Sequence, residues 1–139
     1  MNASTTRPIV APATFNSDAT PVTLRVGDVR MHHIEEWQGN YLPPAHFFTG
    51  YDEATFRAIA PALPPHFCRP ESDTIYASLQ SWLLEVDEVK VLFDTGAGND
   101  KVRPGLPIFG GLQTPFLERL AATGFAPEDV DIVICSHLH

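Results

Sequence analysis

The chain has 139 residues, 44% of them hydrophobic, with 17 acidic against 9 basic side chains and a formal net charge of -8. That length holds one modest domain with a core and excludes two, and the composition excludes a disordered polymer. The acidic balance argues against nucleic acid or an anionic membrane as the natural partner, and no run approaches the roughly 18 apolar residues of a membrane span.

Residues 1–21 are rich in Ala, Thr, Ser, Asn and Pro, have little periodicity, and read as a flexible tail. The apolar stretch after Arg7 is broken by Pro8 and Pro12 and is too short for a signal peptide, so a cytoplasmic location is the default expectation. The domain is expected to span 22–139. Its first strand starts where Val22, Leu24 and Val26 alternate with Thr23 and Arg25, and Gly27-Asp28 turns the chain into a second strand ending near Ile34. His32 and His33 fall near that strand's end, where an exposed or hydrogen-bonded imidazole is expected rather than a ligand. Glu35 and Glu36, beside Trp37, read as a solvated strand end.

A long proline-interrupted connection follows, from Glu35 to Asp73, with one helix predicted over Glu53–Ile59. Its aromatic residues Trp37, Tyr41, Phe47, Phe48, Tyr51, Phe56 and Phe67 either anchor the loop to the body or line a pocket. His46 and His66 in the same stretch are not expected to be ligands. Residues 75–86 form the next predicted strand, Asp87-Glu88 a tight turn lacking the usual glycine, and Val89–Phe93 an apolar strand suited to cover on both faces. That strand runs into Asp94-Thr95-Gly96-Ala97-Gly98-Asn99, where Gly96 and Gly98 permit sharp turning.

Thr114 is expected to cap a helix beginning at Pro115, with Phe116, Leu117, Leu120 and Ala121 as its apolar stripe and Gly124 as its stop. Pro127-Glu128-Asp129 then gives a helical turn, and Ile132–Cys135 a short buried strand with Cys135 as a small core residue. Neither cysteine lies in a C-x-x-C pair, which leaves the redox compartment open. Strands, then a helix, then an apolar strand indicate an α/β layered domain.

The chain ends Ser136-His137-Leu138-His139. In an extended segment, side chains two apart share a face, so His137 and His139 can converge on one ion. Two imidazoles do not make a catalytic zinc site, which needs three protein ligands and an open position. From about residue 75 onward, the order and spacing of Val91-Leu92-Phe93-Asp94-Thr95-Gly96-Ala97-Gly98, a helix, and Pro127 to His139 resemble the metallo-β-lactamase-fold hydrolase superfamily. Of that family's H-x-H-x-D-H signature only the first three positions are present, and its Asp and second-metal His would fall two and three places beyond His139.

The resemblance implies the N-terminal half of an αβ/βα metallo-β-lactamase-type sandwich, a mixed sheet with a helix on one face, truncated inside the motif. It implies His137 and His139 as metal ligands, and Asp94 as the acidic residue beside the metal that braces the ligand loop. The implied cofactor is zinc, one or two ions in the complete parent, or else iron or manganese. The implied activity is metal-assisted hydrolysis of a small ester, lactone or phosphoester. The proline- and aromatic-rich loop after Ile34-Glu35-Glu36-Trp37 looks most like the lactonase and organophosphate-hydrolase-like branch.

On that reading the chain alone is expected to be inactive, and to self-associate through an uncovered sheet face. The alternative is a non-catalytic remnant or interaction module. Nucleic-acid processing conflicts with the acidic balance.

Overall fold

The computed structural model describes residues 21–62 and 74–138. All of the expected tail except Pro21 lies outside the described residues, as do His66, Phe67, Cys68 and His139. The described chain divides into two compact units: residues 39–62 and 74–77 belong to one, and residues 21–38 and 78–138 to the other.

Five strands form one mixed sheet in the order β1-β2-β3-β4-β5: β1 (Thr23–Val26), β2 (Val29–Asn40), β3 (Tyr76–Val86), β4 (Val89–Phe93) and β5 (Ile132–Ile134). β1 and β2 are an antiparallel hairpin with Val26 opposite Val29, and the turn between them has Gly27 at φ 61°. β3 and β4 form a second hairpin with Val86 opposite Val89. Asp87 supplies its positive φ, 54°, which explains how the turn manages without glycine: Asp is among the few residues that tolerate the left-handed region. β5 pairs parallel with β4, Leu92 lying beside Val133.

β2 is six residues longer than its sequence suggested. Glu35 to Asn40 continue the strand, and the alternation that starts at His32 carries on through Ile34 to Glu36, all three buried. The core joins Ile34 of β2, Leu83 of β3, Leu92 of β4 and Leu120 of α3 (Phe116–Ala121), with Phe116, Phe125 and Val130 packed against it. Each such aliphatic side chain contributes about 1.5–3 kcal/mol by leaving water, so α3 is fixed to the sheet mainly through Leu120. The next position along β2 faces the other way; there Trp37, 2% exposed, meets Phe109 edge-on with ring centroids 5.7 Å apart.

Three expectations fail here. Thr114 does not cap α3: its side chain bonds elsewhere, and Pro115 stands at the cap. β4 is not covered on both faces, for only Leu92 is buried while Val89 is exposed. β5 is exposed along its whole length, as is Cys135. An apolar run reads as buried, but β5 is hydrogen-bonded along one edge only, and no described residue encloses it.

In the other unit, α1 (Pro44–Phe47) and α2 (Glu53–Ile59) lie in the proline-rich stretch. α2 has the predicted bounds because Asp52 accepts the Thr55 amide at 2.7 Å, a side-chain cap at its first turn. The aromatic residues there pair locally, Tyr41 with Phe47, Phe47 with Phe48 and Tyr51 with Phe56. Among the described residues no helix is long and apolar enough to cross a membrane.

Candidate functional site

β4 delivers Asp94 to the end of the sheet, and β5 delivers Ser136 and His137 beside it, because the two strands are parallel neighbours in register. The Asp94 amide donates to the Ile134 carbonyl at 2.8 Å, extending the ladder by one bond. Asp94 then leaves the strand at φ 58°. Its carboxylate is turned toward the neighbouring strand end. Oδ1 accepts the Ser136 amide at 2.9 Å, and Oδ2 accepts the Ser136 hydroxyl at 2.7 Å. The bond from the Ser136 amide, then that from its hydroxyl, hold the Asp94 carboxyl below its usual range; burial opposes them, and the nearby His137 adds a lesser lowering effect.

Ser136 Oγ also lies 2.8 Å from His137 Nδ1. A hydroxyl has one proton and Asp94, held ionised, can only accept, so that proton goes to Asp94 and Ser136 Oγ accepts from Nδ1–H. With Nδ1 donating, the imidazole is held in the tautomer that ligates a metal through Nε2.

Behind this rim sits a group that sequence reasoning assigned to solvent. Glu36 is 0% exposed. Its Oε2 accepts the Ala97 amide at 2.5 Å, and its Oε1 accepts the Gly98 amide at 2.9 Å and the Thr114 hydroxyl at 3.3 Å. Two successive amides aimed at one anion form a backbone nest, which requires left-handed residues nearby; Gly96 and Gly98 have φ of 70° and 77°. A Cβ on Gly96 would stand 2.2 Å from Glu36 Oε2. Asn99 locks the second half of the clasp, taking the Thr114 amide at 2.7 Å and donating to its carbonyl at 2.9 Å. Arg103 donates to the Ala97 carbonyl at 2.5 Å.

Glu35, also expected in solvent, is half-buried, with its carboxylate 3.7 Å from Arg119 of α3. The signal for Glu36 was available in the period-two pattern, since it follows Ile34 on the core face.

Two further imidazoles, those of His32 and His33, are hydrogen-bonded. His32 sits between Thr23 and Glu85, at 3.1 and 2.7 Å, and His33 meets Gln80 at 2.6 Å. Glu85 is held below its ordinary range chiefly by His32. His46 lies in α1. Among the described residues no three His, Cys, Asp or Glu side chains gather into a metal-binding group. The donor chemistry at His137 fits a metal nonetheless, because its ring is braced from Nδ1 by a hydroxyl that a carboxylate orients in turn.

Residues 79–139 match the family model described as the metallo-beta-lactamase superfamily. A comparison with curated proteins gives no match. Among solved structures, the chain is similar to the hydrolase AbOPH in the beta lactamase superfamily, with 21% identity and a TM-score of 0.66 over 87% of this chain and 37% of that one. It is similar to AidC, a dizinc quorum-quenching lactonase solved with a product, N-hexnoyl-L-homoserine, at 20% identity and a TM-score of 0.64 over 86% and 36% of the two chains. A probable metal-dependent hydrolase from Staphylococcus aureus gives 18% identity and a TM-score of 0.63 over 84% and 40%. The chain therefore spans about two fifths, or less, of the length of the structures it matches.

Proposed function

We propose that the chain is the part of a metal-dependent hydrolase of the metallo-beta-lactamase superfamily, whose family model residues 79–139 match, that carries the first two histidine ligands, His137 and His139. The proposed metal is zinc and the proposed substrate a small ester, lactone or phosphoester. The observation supporting this reading is the relay from Asp94 through Ser136 to His137 Nδ1. A bare imidazole on a strand end swings freely; this one is held from Nδ1 by the Ser136 hydroxyl, which favours one tautomer. Zinc, when bound, supplies activation of water near neutral pH and polarisation of the scissile carbonyl or phosphoryl group. The residues of this chain supply orientation: Asp94 holds Ser136, and Ser136 holds the His137 ring.

The test uses the full-length protein. Zinc content and hydrolysis of a lactone, an aryl ester and a phosphotriester are measured for the wild type and for His137→Ala, His139→Ala and His46→Ala. Loss of both zinc and turnover in the first two, with His46→Ala unchanged, is the expected result. A His46→Ala variant as damaged as the others would sink the ligand assignment.

A further inference from the structure

We propose that Glu36 is a positioning residue for His137, acting across the sheet through the loop after β4. A carboxylate removed from water is costly unless its oxygens are filled, and here Ala97 N–H and Gly98 N–H fill them, with the Thr114 hydroxyl sharing its one proton between Glu36 Oε1 at 3.3 Å and Asn99 Oδ1 at 3.1 Å. Both amides belong to the short loop that starts at Asp94. Fixing Ala97 and Gly98 leaves only Thr95 and Gly96 between the clasp and Asp94, whose own φ of 58° is set at the strand end. The two oxygens of Asp94 then fix Ser136 through its amide and its hydroxyl, and Ser136 Oγ fixes His137 Nδ1. Two sets of hydrogen bonds, Glu36 to the Ala97 and Gly98 amides and Asp94 through Ser136 to His137, are therefore joined by the short backbone segment from Asp94 to Ala97, and together they connect the interior of β2 to an exposed imidazole.

The site demands a carboxylate rather than any polar side chain. Ala97 and Gly98 donate to different oxygens of Glu36, and a glutamine offers one oxygen and one NH2, so an amide there leaves one backbone donor facing another donor. The space is equally specific, since Gly96 has no room for a Cβ beside Oε2. This inference goes beyond the hydrolase reading and stands without it, because it concerns how the ring is held rather than what it binds.

The experiment is nuclear magnetic resonance on the full-length protein, with and without chelator, comparing wild type, Glu36→Gln, Thr114→Val and Ser136→Ala. In Glu36→Gln, the exchange protection of the Ala97 and Gly98 amides should fall by roughly ten- to a hundredfold, the loss of a hydrogen bond to a charged acceptor. The His137 ring nitrogens should move from a single-tautomer pattern toward an average of two, in the direction that Ser136→Ala moves them. Thr114→Val, which removes one donor and keeps the carboxylate, should give the same displacement at smaller amplitude, and it serves where Glu36→Gln does not fold. A purely structural role lowers stability and leaves the ring of the folded protein unmoved. Ring nitrogens that keep their wild-type shifts in whichever of the two variants folds overturn the proposal, whether or not the protein binds metal.

Discussion

The loop after β4 and the segment after β5 end side by side, yet they are held in opposite ways. The first turns inward and is clasped by a carboxylate that solvent does not reach. The second is exposed from Ile132 to Leu138 and is held by its pairing with β4 and by Asp94. The contrast separates two tasks, rigidity and access, between the two segments. Rigidity comes from the interior, where an unfilled donor or acceptor is expensive, and access comes from the exterior, where Asp94 passes that rigidity on. If this division is real, damage to the inner region should cost stability, whereas damage to the outer one should alter the site and leave the fold.

The largest expected effect is at Gly96. An alanine there places a Cβ 2.2 Å from Glu36 Oε2 at a φ of 70°, so the carboxylate must leave its nest or the loop must open. Breaking a buried charged network costs roughly 3–5 kcal/mol. Denaturant unfolding of Gly96→Ala should show a loss of that order, and a loss under about 1 kcal/mol would mean that the clasp is weak. Leu120→Ala should follow, at about 3 kcal/mol from lost burial and the cavity left behind, because Leu120 is 1% exposed where α3 meets the sheet. Together these variants ask whether the inner region is held by the clasp as firmly as by its core.

Much of this fold was legible in the sequence, and the parts that were not share a cause. β4 and α2 appear at their predicted residues because their determinants are local: an apolar run between turns, and an Asp cap ahead of a short amphipathic segment. The Gly27-Asp28 turn and the 127–129 helical turn are similarly local. Glu36 was misassigned because its partners lie 61, 62 and 78 positions away, and a glutamate on a strand reads as solvated until those partners are known. Thr114 was read as a helix cap for the same reason: a threonine before Pro115 has a local use, but Glu36 and Asn99 claim its hydroxyl. β5 erred in the other direction, since an apolar run indicates a strand but says nothing of whether anything covers it. His137 and Asp94 were singled out by family resemblance, while Ser136, which connects them, has no signal beyond its place before the motif.

On the outer side, acid should separate the relay from the fold. The Asp94 carboxyl is held below the usual carboxylate range by the Ser136 amide and hydroxyl, so its contribution is present above that ordinary range and is lost as pH falls through the lower folded value. At neutral pH Asp94→Asn should lower metal affinity or turnover of the full-length protein by about 10–100-fold, the usual cost of losing a group that orients a ligand. The same variant should change unfolding stability much less than Gly96→Ala does, and should flatten part of the loss of stability on the acid side. Equal losses of stability in the two variants would erase the distinction between inner and outer regions.

The smallest expected effect on stability, and the most informative about exposure, is at Val133 of β5. Its side chain is 53% exposed, so Val133→Lys should change stability by no more than about 0.5 kcal/mol. Charge on an edge strand blocks strand addition by another chain, so if the 139-residue chain associates through β5, the variant should be monomeric at the same concentration. Sedimentation velocity on the two chains decides the matter. Association that vanishes with the lysine identifies β5 as the contact. Association that persists moves the contact to another face, and a stability loss of several kcal/mol would mean that β5 is covered in solution and belongs with the inner region after all.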